Sequence, residues 1–399
     1  MLWSRPIAAR ARHLAVCVTV PALVAGASVT TWAVAHQLPS QRLARLAKSA
    51  PSANEVSGKP TTASSAFRMA LVRHYGLPAN ASGYSAILAT GPDQAWAFGG
   101  TNPGGPSAPV ATLWNGDASA TATLPAGLPS FISDASATSS SDVWAASQYG
   151  RYLLHFDGAR WRVARRWQQG QVTGVTAVTP ADVWLFGTSA DGTSTIGTWH
   201  YDGVSWQRQT GLAGSIVRAS ALSASDIWAI AASPASYSVV RLDGTNWEQV
   251  PTGSALNGMN VRDILAISSA DVWILGDKTD AVGGVRLVLL HWNGARWSSL
   301  VTPINAWAGR LAAGPHGTVL ITATPASASA SGMIVQASAE GGHLEISPRS
   351  WLSTGGISDV VLAGPAHVLW VSGAVLTRIG GEAVIWSGRL PSPADGVGA

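Results

Sequence analysis

The chain has 399 residues, of which 47% are hydrophobic, and a single cysteine, Cys17, so it can bury a large core but cannot form an intrachain disulfide or a cysteine-based metal cluster. The formal net charge of +4 is unevenly distributed, because residues 1–75 carry nine Lys/Arg and one acid whereas residues 76–399 carry sixteen bases and twenty acids. The larger part is therefore mildly acidic and lacks the basic stripe that would match a phosphate backbone, which argues against nucleic acid as a partner.

The N-terminal region predicts a membrane or export segment. Three arginines precede a nearly uncharged run at 14–34, and twenty-one helical residues span roughly 31 Å, the thickness of a bilayer core. The run ends in "AVA", residues 33–35, which suits signal peptidase. Two interpretations stay open: a single-pass anchor at the cell membrane, or a signal peptide at 1–35 cleaved near Ala35 to give a secreted protein. Both predict an extracellular location for the remainder.

Residues 36–66 predict a disordered linker, because they are rich in Ser, Ala, Pro and Thr and have no hydrophobic periodicity. The folded region is predicted at 67–390, with a short tail at 391–399. At its start, "FRMALVR" (67–73) predicts either an outer strand or a short helix against the end of the fold.

A two-part phrase recurs along the folded region. An Asp-x-Trp phrase is followed, some ten to fifteen residues later, by an Asp-Gly or Asn-Gly phrase that ends in a second tryptophan. The copies are "SDVWAAS" (141–147) with "HFDGARW" (155–161), "ADVWLFG" (181–187) with "HYDGVSW" (200–206), "SDIWAIA" (225–231) with "RLDGTNW" (241–247), and "ADVWILG" (270–276) with "HWNGARW" (291–297).

The spacing of the phrase predicts the fold. With a degenerate copy around "GPHGTVLI" (314–321), seven copies fill residues 84–390, and each holds about four short strands. This predicts an all-β, seven-bladed β-propeller in which no strand need be exchanged between the chain ends. The repeated tryptophans are expected to pack between blades as structural residues: Trp96, Trp144, Trp184, Trp228, Trp273 and Trp370 in the first phrase, and Trp161, Trp206, Trp247 and Trp297 in the second.

Two local roles follow from the phrase. Asp-Gly and Asn-Gly between apolar runs predict tight type I′ hairpins, in which both central residues have positive φ. The aspartate before the first tryptophan is expected to bond backbone N–H groups in the turn between the first and second strands.

At these residues the chain resembles exported actinobacterial β-propeller proteins and, more distantly, kelch and sialidase-type Asp-box propellers. The resemblance implies a propeller fold, but propellers serve as binding proteins, lyases, hydrolases and oxidases. The folded region has no cysteine for a kelch-type copper-radical site, and no motif matches the arginine triad and Tyr/Glu pair of sialidases. Neither catalytic site is therefore carried over.

The residues outside the repeat assign no catalytic group. His155, His200 and His291 share one repeat position and are expected to be structural, and no metal-ligand, phosphate-loop or nucleophile motif is present. Neither cofactor nor metal is predicted.

Charged residues near the starts of the first strands are the candidates for ligand binding, since they differ between copies. Two interpretations stay open: a polar binding site in the funnel, or mutually paired rim charges. The candidates are Asp134, Arg218, Arg262, Asp263, Arg310 and Asp359.

The leading hypothesis is a non-catalytic extracytoplasmic propeller that binds a protein or a cell-envelope glycan or other polymer through its loop face and funnel, and meets the membrane through its N-terminal helix. One alternative is a lyase or hydrolase that acts on extracellular polysaccharide in the funnel. Another is an envelope sensor or assembly partner.

Overall fold

The computed structural model describes most of the region after residue 68. The described residues are 69–75, 81–102, 107–116, 118–188, 196–210, 212, 214–233, 236–281, 283–326, 332–339, 343–346, 355–364, 368–377 and 380–390. The predicted membrane or signal helix at 14–34, the linker at 36–66 and the tail at 391–399 lie outside these ranges. No helix within them has the length and apolar character that a membrane crossing needs.

The first strand, β1 (Met69–Tyr75), belongs to the last sheet. After it the chain builds four antiparallel sheets, each from four consecutive strands paired in chain order. Their strands are β2 (Ala81–Gly91), β3 (Gln94–Asn102), β4 (Ala108–Trp114) and β5 (Ser119–Thr121); β6 (Asp134–Ser139), β7 (Asp142–Ser147), β8 (Tyr152–Phe156) and β9 (Trp161–Arg166); β10 (Gln171–Thr179), β11 (Asp182–Thr188), β12 (Trp199–Tyr201) and β13 (Trp206–Arg208); and β14 (Ser215–Ser223), β15 (Asp226–Ala232), β16 (Tyr237–Asp243) and β17 (Asn246–Val250).

Two further sheets complete the fold. One has seven strands in chain order: β18 (Asn260–Ser268), β19 (Asp271–Thr279), β20 (Val285–Trp292), β21 (Trp297–Ala313), β22 (Val319–Pro325), β23 (Met333–Ala337) and β24 (His343–Ile346). The other pairs β25 (Gly355–Ala363), β26 (Val368–Thr377) and β27 (Gly380–Arg389) with β1.

The sheets stand radially around a central axis. Their inner strands contact one another in cyclic order, namely β2, β6, β10, β14, β18, the C-terminal half of β21, and β25, which contacts β2 again. Second strands such as β11 are buried along their whole length because neighbouring sheets cover both faces, whereas outer strands such as β17 are largely exposed. This arrangement is a β-propeller.

The ring has two distinct ends. Inner strands begin, and second strands end, at what we call the mouth end; the loops before the inner strands and after the second strands lie there. Third strands end at the opposite side, the hairpin end, where they turn into the outer strands. Met69 pairs with Gly388 at the end of β27, so β1 begins at the hairpin end.

The number of separate sheets differs from the prediction, because hydrogen bonding defines six sheets and not seven blades. The reason is β21, which has 17 residues. Its first half pairs with β20 up to Asn305, and its second half pairs with β22 from Ala306 onward. The outer strand of the fifth copy thus continues into the inner strand of the sixth without a loop, and this joins their strands into one sheet.

The last sheet is closed by the N-terminus. Its order, β1-β27-β26-β25, gives the outer position to β1. Of the two expectations for residues 67–73, the outer strand is the one found, and the expectation that each copy keeps its own four strands is wrong for the last copy. β25, β26 and β27 supply the first three strands of this copy, and β1 supplies the fourth.

The tryptophans lie between sheets. In four successive pairs, the first-phrase indole of one sheet meets the second-phrase indole of the next, edge to face at interplanar angles of 78–85°. The ring centroids are 5.5 Å apart for Trp96–Trp161, 5.9 Å for Trp144–Trp206, 6.0 Å for Trp184–Trp247 and 6.4 Å for Trp228–Trp297. Trp273 and Trp370 are buried against the aliphatic side chains of β22 and of the first sheet. Such contacts add specific geometry to the burial of apolar area.

The repeated aspartates bond side chains and not the turn, which corrects the prediction. Asp182 accepts a hydrogen bond from Trp184 Nε1 at 2.8 Å and lies 3.1 Å from His200 Nε2. The reason is register: His200 is the cross-strand neighbour of Trp184 and stacks on it at 4.3 Å, within reach of a carboxylate two residues before the indole. In the turns, Ser or Thr side chains accept the backbone N–H two residues later, as in Thr179–Ala181.

The same arrangement recurs in other copies. His155 and His291 stack on Trp144 and Trp273 and contact Asp142 and Asp271. In the fourth copy Arg241 replaces the histidine, lies 5.1 Å above the ring of Trp228 and pairs with Asp226. These histidines and aspartates therefore stabilise the contacts between second and third strands.

The predicted type I′ hairpins are also wrong. In three of them only the glycine has positive φ (86° at Gly158, 88° at Gly203 and 89° at Gly294), and the loop has four residues. The residue before the glycine instead caps its own loop: Asp202 Oδ1 accepts the N–H groups of Val204 and Ser205. These backbone bonds lower the pKa of Asp202. Among the described hairpins between third and fourth strands, only that of the fourth copy has a two-residue turn, between Asp243 and Asn246.

Candidate binding site in the central channel

Five of the six predicted charged residues converge on the axis of the ring. Each lies on an inner strand, two residues before the cross-strand partner of the first-phrase tryptophan of its copy. In the sixth copy Leu320 takes the place of that tryptophan. This one position on five inner strands is occupied by Asp134, Arg218, Asp263, Arg310 and Asp359. The strands therefore present them at one height, inside the channel and not on the surrounding loops.

Arg310 connects opposite sides of the channel. Its Nη2 lies 3.3 Å from Asp134 Oδ1 and 3.3 Å from the carbonyl oxygen of Ser133, and its Nη1 lies 3.9 Å from Asp263 Oδ1. Asp263 is on the neighbouring inner strand, whereas Asp134 is on β6 across the axis. The side chains of Arg310 and Asp134 keep 16% and 21% of their accessible area although they lie deep in the ring, so the channel supplies that exposure.

The three carboxylates also join neighbouring inner strands. Inner strands are the edges of their sheets, so some of their N–H groups face the channel without a ladder partner. Asp134 accepts the N–H of Val175 at 2.9 Å, Asp263 that of Leu311 at 2.8 Å, and Asp359 that of Ile87 at 3.0 Å. Each carboxylate thus bonds the next inner strand around the ring.

The pKa values reflect burial and an excess of one negative charge, since three carboxylates face two guanidinium groups. Burial raises the pKa of Asp359 to about 6 and also raises that of Asp263. Burial and nearby Arg310 lower the pKa of Arg218 to about 10. Burial alone would lower the pKa of Arg310, but the carboxylates around it raise the value above its ordinary range. With Asp359 protonated, the cluster is neutral.

Arg218 and Arg262 differ in their surroundings. Arg218 Nη1 donates to the carbonyl oxygens of Thr173 at 2.7 Å and Val217 at 3.1 Å, while its buried Nε has no hydrogen-bond partner among the described residues. Arg262 does not join the cluster. It occupies a register shift one residue before Asp263 and pairs with buried Asp277 at 3.3 Å on the adjacent strand.

Aromatic side chains that sequence reasoning missed lie at the mouth end. Tyr149, 41% exposed, follows β7 and packs on Phe131 at 5.8 Å. Trp307, 38% exposed, lies three residues before Arg310 on β21, nearer the mouth. Because Arg310 also bonds Ser133, two residues after Phe131, the two aromatic groups flank the entrance from opposite sides. The sequence feature that distinguishes Tyr149 and Trp307 from the structural aromatic residues is their position outside the repeated phrase.

The arrangement suits recognition better than proton transfer. Both oxygens of Asp359, the carboxyl group whose pKa is raised to about 6, accept backbone N–H groups, from Ile87 and Val360. The three repeat histidines are held against tryptophans away from the channel. Within the described ranges, no group of three His, Cys, Asp or Glu side chains could hold a metal ion.

Comparison with known proteins supports the fold. No protein-family model matches the chain, and no curated protein matches it. Similar solved structures include YCF48 bound to a D1 peptide, at 12% identity and a TM-score of 0.55 over 84% of this chain and 97% of that chain. YCF48 from Cyanidioschyzon merolae is similar at 13% identity and a TM-score of 0.54, over 80% of this chain and 99% of that chain.

A catalytically inactive virginiamycin B lyase from Staphylococcus aureus with quinupristin is also similar, at 12% identity and a TM-score of 0.56 over 82% of this chain and 100% of that chain. These propellers include a protein that binds a peptide and a lyase. At such identities the likeness shows the fold alone.

Proposed function

We propose that this protein is a non-catalytic propeller that binds a segment of another protein, or a cell-envelope polymer, at the mouth of its channel. The observation that carries the proposal is the contrast between the mouth and the channel. At the mouth, Tyr149 and Trp307 expose aromatic surface, whereas in the channel the charged groups are engaged with one another and with backbone. Exposed aromatic residues are typical anchors of recognition surfaces.

The ligand would lie across the mouth and reach into the channel. A polar group of the ligand that enters the channel would meet Arg310 and Asp134, whose side chains keep 16% and 21% of their accessible area. Similarity to a propeller that binds a peptide makes a protein ligand the preferred form of the proposal. A glycan ligand remains the alternative form, since carbohydrate rings also stack on aromatic side chains.

We further propose that the protein acts outside the cytoplasm, anchored by a helix at 14–34 or released by cleavage near Ala35. The start of β1 at the hairpin end agrees with this, because a linker that joined it there from the membrane would leave the mouth facing outward. We also propose that the seven-stranded sheet works as two blades that share β21, which would give the ring seven blades in function.

The test uses the full-length protein in a mild detergent and a random peptide library displayed on phage. Peptides selected on the native protein should bind the double variant Y149A/W307A at least tenfold more weakly. The matched control is V204A/V301A, which removes two exposed apolar side chains away from the mouth, 90% and 58% exposed, and should bind as the native protein does. Equal binding by Y149A/W307A would contradict the proposal.

A lyase or hydrolase in the channel is the second candidate, favoured by the pKa of about 6 at Asp359. It predicts turnover of a soluble envelope polysaccharide that D359N abolishes while the selected peptides still bind. Without turnover in the native protein at pH 5 to 8, this candidate is rejected.

A further inference from the structure

An unusually basic outer strand lies on the side of the ring. Residues 151–166 contain five arginines (Arg151, Arg160, Arg162, Arg165 and Arg166) and one acid, Asp157, within a region whose overall balance is acidic. Three of the arginines lie on β9, the outer strand of its sheet. The other outer strands carry few cations: β5 and the first half of β21 have none, and β17 carries Glu248.

Most of these arginines have no counter-charge. Arg162 pairs with Asp157, but Arg151, Arg160 and Arg166 are exposed and form no ion pair within the described residues. Arg165 stacks on the ring of Trp199 at 3.7 Å, and burial there lowers its pKa. Five arginines against one acid in residues 151–166 leave an excess of positive charge at β9 and its flanks, so this edge is electrostatically suited to an anionic partner.

The backbone of β9 offers a second kind of contact. On one side it pairs with β8, and on the other no described strand pairs with it, so alternate N–H and C=O groups face outward. Such an edge accepts an added strand. Arg162 and Arg166 are both exposed and lie on either side of Ala164, where the pairing of β9 with β8 shifts by one residue, so they present two separate guanidinium groups along the edge to one extended peptide.

We propose that β9 binds an extended acidic peptide by strand addition, with backbone hydrogen bonds along the edge and carboxylates opposite Arg162 and Arg166. This surface is separate from the mouth, so it adds a second partner site to the proposed function. Charged edges also prevent aggregation, but β5 has no cation and β13 has one, Arg208, so solubility alone does not account for the five arginines at β9 and its flanks. A peptide is preferred to an anionic polysaccharide because only a peptide uses the free backbone groups.

The experiment measures fluorescence anisotropy of a labelled peptide, Ac-(Glu-Thr)4-NH2, with the full-length protein in detergent. Three outcomes are expected: saturable binding, at least tenfold weaker binding of the same peptide with its backbone nitrogens methylated, and at least tenfold weaker binding by R162Q/R166Q. The matched control R296Q/R389Q, which removes the same charge from exposed sites elsewhere, should bind as the native protein does.

Several results would overturn the proposal. Absence of binding rejects it, and equal binding of the methylated peptide rejects strand addition. An equal loss in R296Q/R389Q identifies unspecific electrostatics, and tight β9-dependent binding of polygalacturonate without peptide binding identifies a polysaccharide surface instead. The variant Y149A/W307A should retain the acidic peptide, so failure at the mouth and failure at β9 can be told apart.

Discussion

The repeated Trp, His and Asp side chains packed between the sheets form what we call the layer. This layer and the charged cluster in the channel depend on the same strand register, but the residue types recur in the layer and vary in the channel. Between sheets the same residue types recur, so Asp182, Trp184 and His200 of one copy have counterparts in others. In the channel one strand position carries an aspartate in some copies and an arginine in others. Recurrence of one residue type therefore marks a local contact made within each copy, whereas variation at one position marks a site shared by the whole ring.

The strongest way to break the layer is W228A. Trp228 is 1% exposed, meets Trp297 edge to face and lies beneath Arg241, so truncation leaves a large cavity between two sheets. We expect a loss of about 3–5 kcal/mol in the free energy of unfolding, measured by guanidinium denaturation of the full chain in detergent. V204A, at a side chain 90% exposed, is the control and should change it by less than about 0.5 kcal/mol. A loss below about 1 kcal/mol would mean that the indole does not wedge the sheets.

In the channel, the substitution R310M should destabilise the charged cluster. It leaves Asp134 and Asp263 without their shared cation, and we expect a loss of about 3 kcal/mol by the same measurement. The control R286M removes an exposed pair to Asp280 at 3.8 Å and should cost less than about 1 kcal/mol. If the two variants are equally stable, the channel charges are hydrated and do not hold the ring.

Acidification sharpens the comparison, because only the channel holds a carboxyl group with a pKa raised to about 6. Between the unfolded value near 3.8 and this folded value, the folded state binds more protons, so the contribution of Asp359 to stability increases as the pH falls through 6. Between pH 7 and 5 the native protein should gain on the order of 1 kcal/mol relative to D359N. Parallel pH profiles for the two proteins would reject the assignment.

The smallest expected effect is that of D182N in the layer. One amide oxygen replaces a carboxylate that serves both Trp184 Nε1 and His200 Nε2, so we expect a loss of about 1 kcal/mol, seen as a lower Tm. D243N is the matched control, because that side chain is 64% exposed and its nearest cation is 3.9 Å away. A Tm change no larger than in D243N would show that the carboxylate is dispensable.

The sequence predicts the repeat well and its local geometry less well. The spacing of the tryptophans predicts a radial all-β ring, because each sheet must bury both faces against its neighbours. It does not reveal that β21 runs through two copies or that β1 supplies the last outer strand, since strand continuity and exchange leave the hydrophobic pattern unchanged. The turns were misjudged because an Asp-Gly pair fits a two-residue and a four-residue loop equally well.

The candidate site was predicted in part. Charges at the starts of the first strands predict Asp134, Arg218, Asp263, Arg310 and Asp359 as a set, and Arg262 was included because a sequence does not show a register shift. Partnering across the axis depends on the ring diameter, which no local pattern encodes. Tyr149 and Trp307 were missed because they belong to no repeat.

The use of β1 as the outer strand of the last sheet has a consequence for biosynthesis. The strand that completes the ring is the first strand of the fold to be made, and its partner β27 is made some three hundred residues later, so the toroid stays open until β27 has been synthesised. A nascent chain would therefore carry an unmatched strand until β27 has been made. Loss of the final dozen residues of the fold would release both ends of the molecule at once.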